Sequence, residues 1–488
     1  MTSAGEYEIR GGDDARANVA SSDAHRSATD VGALARAVSS EGDDDARPGR
    51  DGVFGLGVAV KAKRMWRSFT WREASGAMGD LGTFLPLLVG MSIENGVDAG
   101  TTILFTGAYN VATAFLYEIP MPVQPMKTIA AVALGEDPLT TNEILVAGFF
   151  VSAIVFALGA TKTMDAFNRM TPTAVVQGMQ VGLGMLLARK GFVLAVYASS
   201  DLSRARKMTG VDGLLVTIVA FCGVMYACAP EYPPATTPAG AGAGELGVST
   251  TEAKERKRRA RHYVPTALIL VGVGIVMAMT KKGALNGLRF GPSTPKVLNA
   301  SRAEIRRGIV RAGVPQLPLT TLNSVISVCA LSKELFPDLP ASPSSVATSV
   351  GVMNIVGCWM GAMPSCHGAG GLAAQYAFGA RGGGSIAFLG ACKLILGLVF
   401  GSSLTHLLER FPKNILGVML FSSSLELMGM GLKTKPGWQQ HQKYLVMVTA
   451  AVTVATKSTA IGFAAGAGTH LLMEIQRRIE VGSVEATQ

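Results

Sequence analysis

Met121-Pro122-Val123-Gln124-Pro125-Met126-Lys127-Thr128 and Gly361-Ala362-Met363-Pro364-Ser365-Cys366-His367-Gly368 are the two stretches that decide how this chain folds. Each lies between apolar runs long enough to enter a membrane, and each leads into small and apolar residues. Proline lacks a backbone donor and disfavours helix in the residue before it, so each Met-Pro pair predicts a break at membrane depth. Non-helical backbone at that depth is tolerated only where protein buries it or a cavity runs beside it. Paired interruptions in corresponding places of two halves point to a transporter's binding site.

Working outward from the breaks, apolar segments run near 74–92, 100–118, 122–135, 143–160, 173–198, 211–229 and 263–280. A second set runs near 315–333, 345–362, 366–380, 385–408, 411–431, 443–456 and 458–473. The spacing predicts an all-α polytopic membrane protein, a seven-plus-seven repeat whose third and tenth segments are half-helices. These two are too short for a hydrocarbon core of ~30 Å, which takes roughly 20 helical residues. An odd number of crossings inverts the second half, so the half-helix N-termini should face one another near the midplane.

Composition agrees. The chain of 488 residues is 49% hydrophobic and 16% charged, with mean hydropathy +0.34; soluble domains carry about 25% charged residues. Its net charge of +10 suits anionic headgroups or an anionic solute. No aromatic–basic interleaving suggests nucleic acid. The six cysteines form no CxxC or other metal spacing and read as small buried hydrophobes. Without a P-loop or an intramembrane cluster of metal ligands, no enzyme, cofactor or metal site is expected.

Residues 1–60 form a polar tail expected to be disordered. The membrane domain is expected over 61–473, with repeats 72–280 and 314–473, and residues 474–488 as a short tail. Lys61, Lys63, Arg64, Arg67 and Arg72 read as a cytoplasmic flank, and the basic run at 254–261 as an inside loop. The 281–314 loop falls outside in this topology despite its many lysines and arginines.

A helix N-terminus offers free N–H groups and the positive end of its dipole, and so attracts anions. Two converging termini would form a dianion site bounded by Gln124, Pro125, Lys127, Thr128, Ser365, His367 and Gly368. Lys127 adds a full charge there, unless it pairs with Glu118 or Asp80. His367 offers an oxyanion donor, a proton carrier or a helix cap. Asp80, within Gly79-Asp80-Leu81-Gly82-Thr83-Phe84-Leu85-Pro86, is a candidate for coupling or for a structural ion pair. Val314-Pro315-Gln316-Leu317-Pro318-Leu319-Thr320-Thr321-Leu322-Asn323-Ser324 opens the matching helix, with Gln316, Thr320, Thr321 and Asn323 as substrate-facing donors. Glu426, Lys393, Lys457 and His470 also lie in apolar runs, but nothing in sequence links them to the breaks, and buried pairs or snorkelling heads account for them.

These four segments, Pro120–Thr128, Gly79–Pro86, Val314–Ser324 and Ala362–Ala373, resemble the signature segments of the plant and algal molybdate transporters, within the sulfate permease superfamily. The likeness covers roughly 72–473. It implies core and gate subdomains moving against each other, molybdate as substrate, uptake by alternating access for molybdenum-cofactor synthesis, and a homodimer in contact with membrane lipids. Sulfate or another oxyanion is the alternative substrate; an anion channel or substrate-sensing receptor is the alternative class. The regulatory domain that ends many sulfate permeases is not expected after residue 473. The plasma membrane is the expected address, with a vacuolar or other endomembrane second.

Overall fold

The computed structural model describes residues 54–67, 69–164, 166, 172–199, 202–210, 212–228, 266–281, 289–432 and 439–485. Residues 1–53 of the tail expected over 1–60 and the basic loop at 254–261 lie outside them, while residues 54–60, expected to be disordered, are helical. The first helices are α1 (Phe54–Arg67), α2 (Trp71–Ala77), a 3-10 turn (Met78–Asp80), α3 (Leu81–Asn95) and α4 (Ala99–Tyr117). Strand β1 (Val123–Pro125) leads into the short α5 (Lys127–Ala133), followed by α6 (Thr141–Ala160), α7 (Thr173–Val196), α8 (Leu214–Cys228) and α9 (Thr266–Met279).

The second set opens with α10 (Arg302–Gly308), α11 (Val314–Leu319) and α12 (Ser327–Leu335), joined by π-helical turns at Ile309–Gly313 and Thr320–Ile326. It continues through α13 (Pro343–Trp359), β2 (Ser365–His367), α14 (Ala369–Ala377), α15 (Gly383–Leu408), α16 (Lys413–Gly431), α17 (Gln440–Thr456) and α18 (Thr459–Glu485). Six helical runs among the described residues are long and apolar enough to cross a membrane.

Two boundaries in the second half differ from the sequence reading. The run containing Pro315 starts at Arg302, within the expected 281–314 loop. Ser301 caps it: its hydroxyl accepts from Glu304 N at 3.3 Å, and Glu304 accepts from Ser301 N at 2.8 Å. Pro315 and Pro318 therefore lie inside a continuous run, flanked by π turns whose wider winding accommodates the missing donors. At the other end α18 continues to Glu485, past the expected boundary at 473, with Glu474 bridging Arg477 at 2.9 Å and Arg478 at 3.3 Å.

Helix starts follow local chemistry. Thr140 and Glu143 form a capping box on α6, and the Asp98 carboxylate accepts from Thr101 N at 2.6 Å on α4. Two bundles follow from which helices pack together. In one, α4 packs on α15 and α6 on α13; in the other, α7 packs on α16 and α17. Lipid tails exert no hydrophobic drive between helices, so small residues that admit close backbone approach set both contacts. A Cβ on Gly107 of α4 would meet the Gly390 carbonyl of α15 at 3.0 Å; one on Gly191 of α7 would meet the Gly417 carbonyl of α16 at 2.8 Å.

Candidate anion site

The two breaks satisfy each other. β1 and β2 pair antiparallel, with Val123 opposite His367, Gln124 opposite Cys366 and Pro125 opposite Ser365. Buried backbone outside a helix needs partners, and asparagines supply them on both sides. Asn110 of α4 accepts from Val123 N at 2.9 Å. Asn354 of α13 accepts from Ser365 N at 2.6 Å and donates to Ser365 O at 2.5 Å. The Met126 N–H reaches Pro364 O at 2.9 Å. The short helices α5, of seven residues, and α14, of nine, start directly after this pair.

Side chains alternate along a strand, so the register divides the predicted residues between two faces. Gln124 and Cys366 share one; Val123, Pro125, Ser365 and His367 share the other. His367, fully buried, faces α4 and α13. Its Nδ1 donates to the Pro122 carbonyl at 3.3 Å, its Nε2 meets Ser349 Oγ at 3.2 Å, and its ring lies edge-on to Tyr117 at 5.9 Å. A carbonyl only accepts, so Nδ1 carries hydrogen. His367 and Ser365 thus hold the scaffold together on the side away from Gln124.

On the other face, the Gln124 carboxamide donates to Asp80 Oδ1 and lies across the start of α14. A Cβ on Gly368 would overlap Gln124 Oε1, and one on Gly371 would sit 2.5 Å from Nε2. Both glycines are there because the side chain of Gln124 occupies that space. Gly370, between them, faces a different group: its Cβ would lie 3.2 Å from Met430 Sδ, and 3.8 Å from both Glu426 Oε1 and Lys127 Nζ.

Lys127 is 7% exposed. Its Nζ reaches Met430 Sδ at 3.9 Å and finds no carboxylate within 4.0 Å among the described residues. The two carboxylates considered as its partners are engaged elsewhere. Glu118 pairs with Lys61 at 3.1 Å and with Arg64, while Asp80 holds Gln124. A second buried cation, Lys393 of α15, lies 3.6 Å over the ring of Phe84, one helical turn on from Asp80. Glu426 of α16 accepts from Thr83 Oγ1 at 2.6 Å. Asp80 Oδ2, Gln124 Oε1, Thr128 Oγ1 and Lys393 Nζ are buried without a hydrogen bond among the described residues.

Gln316 does something the sequence did not suggest. Its Oε1 accepts from Thr128 N at 2.9 Å and Ile129 N at 3.2 Å, capping α5 from the other half of the chain. Its Nε2 donates to Thr320 Oγ1 at 2.7 Å. Thr321 instead turns onto its own helix, bonding Leu317 O and Pro318 O at 3.1 Å. Asn323 is half-buried and makes no hydrogen bond among the described residues. Ser324 reaches Cys366 Sγ at 3.1 Å.

The structure therefore gathers Asp80, Gln124, Lys127 and the Gly368–Gly371 turn, and sets Gln316, Thr320 and Thr128 around the start of α5. Lys393 and Glu426 join the first group, although sequence reading left both unconnected to the breaks. Their presence in apolar helices was the available signal, since intramembrane ionisable groups mark functional pathways. Lys457 and His470 remain away from it: Lys457 pairs with Glu136 and His470 is exposed.

A multi-pass bundle with buried charges gathered where two helices are broken defines a membrane transporter. The fold is that of solved anion transporters. It matches the transmembrane domain of a cyanobacterial bicarbonate transporter with TM-score 0.53 at 14% identity, over 80% of this chain and 97% of that one. It matches murine solute carrier 26 family member A9, an anion transporter in its inward-facing state, with TM-score 0.56 at 14% identity, over 91% and 75%.

In sequence, the family model described as "Molybdate transporter of MFS superfamily" matches residues 72–187 and 308–427. The chain is 42% identical to Molybdate transporter 2 of Arabidopsis thaliana over 84% of its length and 89% of that protein's. It is 38% identical to Molybdate transporter 1 of Chlamydomonas reinhardtii over 83% and 92%. This chain belongs to the molybdate transporter family.

Proposed function

We propose that this chain carries molybdate across its membrane by alternating access and supplies molybdenum-cofactor synthesis. The observation that carries the reading is Lys127, a buried cation at a strand–helix break with no carboxylate partner among the described residues. A tetrahedral dianion beside the first turn of α14 would receive the Lys127 ammonium and backbone N–H groups, with Gln124 held in place by Asp80. Gln316 and Thr320 would position α5, and Thr128 Oγ1 would add a hydroxyl.

The architecture proposed for this cycle is the seven-plus-seven inverted repeat. In support, the strand register is symmetric about Gln124 and Cys366, and an asparagine ties the residue after proline in each break. The core subdomain comprises α2–α6 and α10–α15; the gate comprises α7–α9 and α16–α18. Ion pairs tie one end of their interface: Glu94 of α3 with Lys190 at 3.3 Å and Lys413 at 3.2 Å, and Glu136 with Arg189 and Lys457. Rocking between the bundles would break these contacts as access changes sides.

The test is molybdate uptake into proteoliposomes. Accumulation from low concentrations supports the reading, and no uptake by correctly inserted protein refutes it. Sulfate, close to molybdate in shape and charge, is the competing substrate; abolition of molybdate uptake by a large sulfate excess would favour it. For the address we propose the plasma membrane, and a fluorescent C-terminal tag seen on the vacuole would overturn that.

A further inference from the structure

Glu426 is an acidic side chain where the proposed function calls for positive charge. It sits on α16 of the gate, accepts a hydrogen bond from Thr83 of the core at 2.6 Å, and aims its other oxygen at the Gly370 face of α14. Lys127 Nζ lies equally close to that face, at 3.8 Å from the Gly370 Cβ position, and Met430, one turn along from Glu426, contacts Lys127 at 3.9 Å. A dianion held by Lys127 at this turn meets the Glu426 carboxylate at short range in a site that excludes most water, where like charges repel strongly. The anion and the ionised carboxylate compete for one positive field.

We propose that Glu426 is the titratable gate of the anion site, an internal competitor that takes up one proton each time the oxyanion binds. The inference rests on the oxyanion-transport reading above. In the empty site the ionised carboxylate faces Lys127 and, through Thr83, holds gate to core. On binding, a proton from the water on the open side neutralises Glu426, the substrate takes its place before Lys127, and the proton leaves with the substrate on the far side. No bond to the substrate is made or broken.

This assigns coupling to Glu426 and leaves Asp80 as a positioning residue, because Asp80 is committed to orienting Gln124. Among the described residues, the charged groups near Glu426 include Lys127 from α5, Asp80 from the turn before α3, and Lys393 from α15, over the ring of Phe84 beside Thr83. On α7, Arg189 and Lys190 lie near the C-terminal end, bound to Glu136 and Glu94. Glu94 itself ends α3, and Lys413, at the start of α16, also binds it. Tyr376 of α14 lies under Arg381. α8 offers Cys222 and Tyr226, and α9 carries no titratable side chain.

The test counts protons. Molybdate binding to the purified full chain in nanodiscs is titrated calorimetrically near neutral pH in two buffers of different ionisation enthalpy; molybdate itself carries no proton there. The parent takes up close to one proton per molybdate. Glu426→Gln, which keeps an acceptor for Thr83, takes up none and binds molybdate several-fold more tightly. Glu426→Asp restores the proton, and Asp80→Asn retains it. Proton uptake surviving in Glu426→Gln, or a parent that binds molybdate without taking up a proton, overturns the proposal while leaving molybdate as substrate. The second of these results needs no variant to fold. A parent that binds no molybdate overturns the substrate reading, and this inference with it.

Discussion

Replacing Lys127 with methionine separates the two roles a buried lysine can have in this protein. If it neutralised a carboxylate, its loss would strand that charge in a dry interior at a cost of about 3–5 kcal/mol, and the protein would fail to fold. The contacts argue otherwise. Asp80 keeps Gln124, Glu426 keeps Thr83, and Glu118 keeps Lys61 and Arg64. With no carboxylate within 4.0 Å of its Nζ among the described residues, Lys127→Met is therefore expected to fold, with at most the modest loss of stability that follows from removing a cation facing Glu426. What it loses is a charge-assisted hydrogen bond to the substrate, worth roughly 1.5–3 kcal/mol, or about ten- to a hundredfold in affinity at 1.4 kcal/mol per decade. The assay is the concentration dependence of molybdate uptake in proteoliposomes, beside thermal unfolding of the same preparation. Lys127→Arg should recover only part of the loss, because its planar fork replaces a compact point charge. An apparent KM for Lys127→Met within twofold of the parent would refute a direct anion role. So would recovery of parental transport in the double variant Asp80→Asn/Lys127→Met.

Two further substitutions test the frame around the site. Gly371→Ala places a Cβ 2.5 Å from Gln124 Nε2 and 2.6 Å from Pro122 Cγ. Gln124 must leave Asp80, and with a charged hydrogen bond worth roughly 1.5–3 kcal/mol uptake should fall about tenfold or more. Gly429→Ala on α16, with nothing within 4 Å of its Cβ position, is the control expected to be silent; equal effects at both positions would contradict the account. Asn354→Leu removes both partners of the Ser365 backbone, each orphaned group costing roughly 1–3 kcal/mol, so the detergent-solubilised protein should unfold at a clearly lower temperature. Unchanged stability would mean that the strand pair does not depend on its asparagine ties.

The sequence by itself determined the breaks, the apolar segments around them and the ionisable residues they contain. These are local properties. Proline removes its own donor, a segment's length and polarity set whether it enters a membrane, and a lysine in an apolar run is visible as such. The local signals also erred where their evidence was local: Pro315 reads as a helix start, yet a capping box at Ser301 begins the run earlier and π turns carry it through.

Tertiary structure decided who meets whom. Pairing β1 with β2 placed Gln124 toward Asp80 and His367 away from it, because a one-residue change of register exchanges the faces of a strand. Gln316 caps a helix 188 residues away in the chain. Lys393 reached the Phe84 ring, and Glu426 reached Thr83 and the Gly370 turn, only because glycine crossings brought separate helices together. Each of those contacts joins residues far apart in sequence, and their distances are set by helix packing in three dimensions, which no periodicity or spacing along one chain encodes.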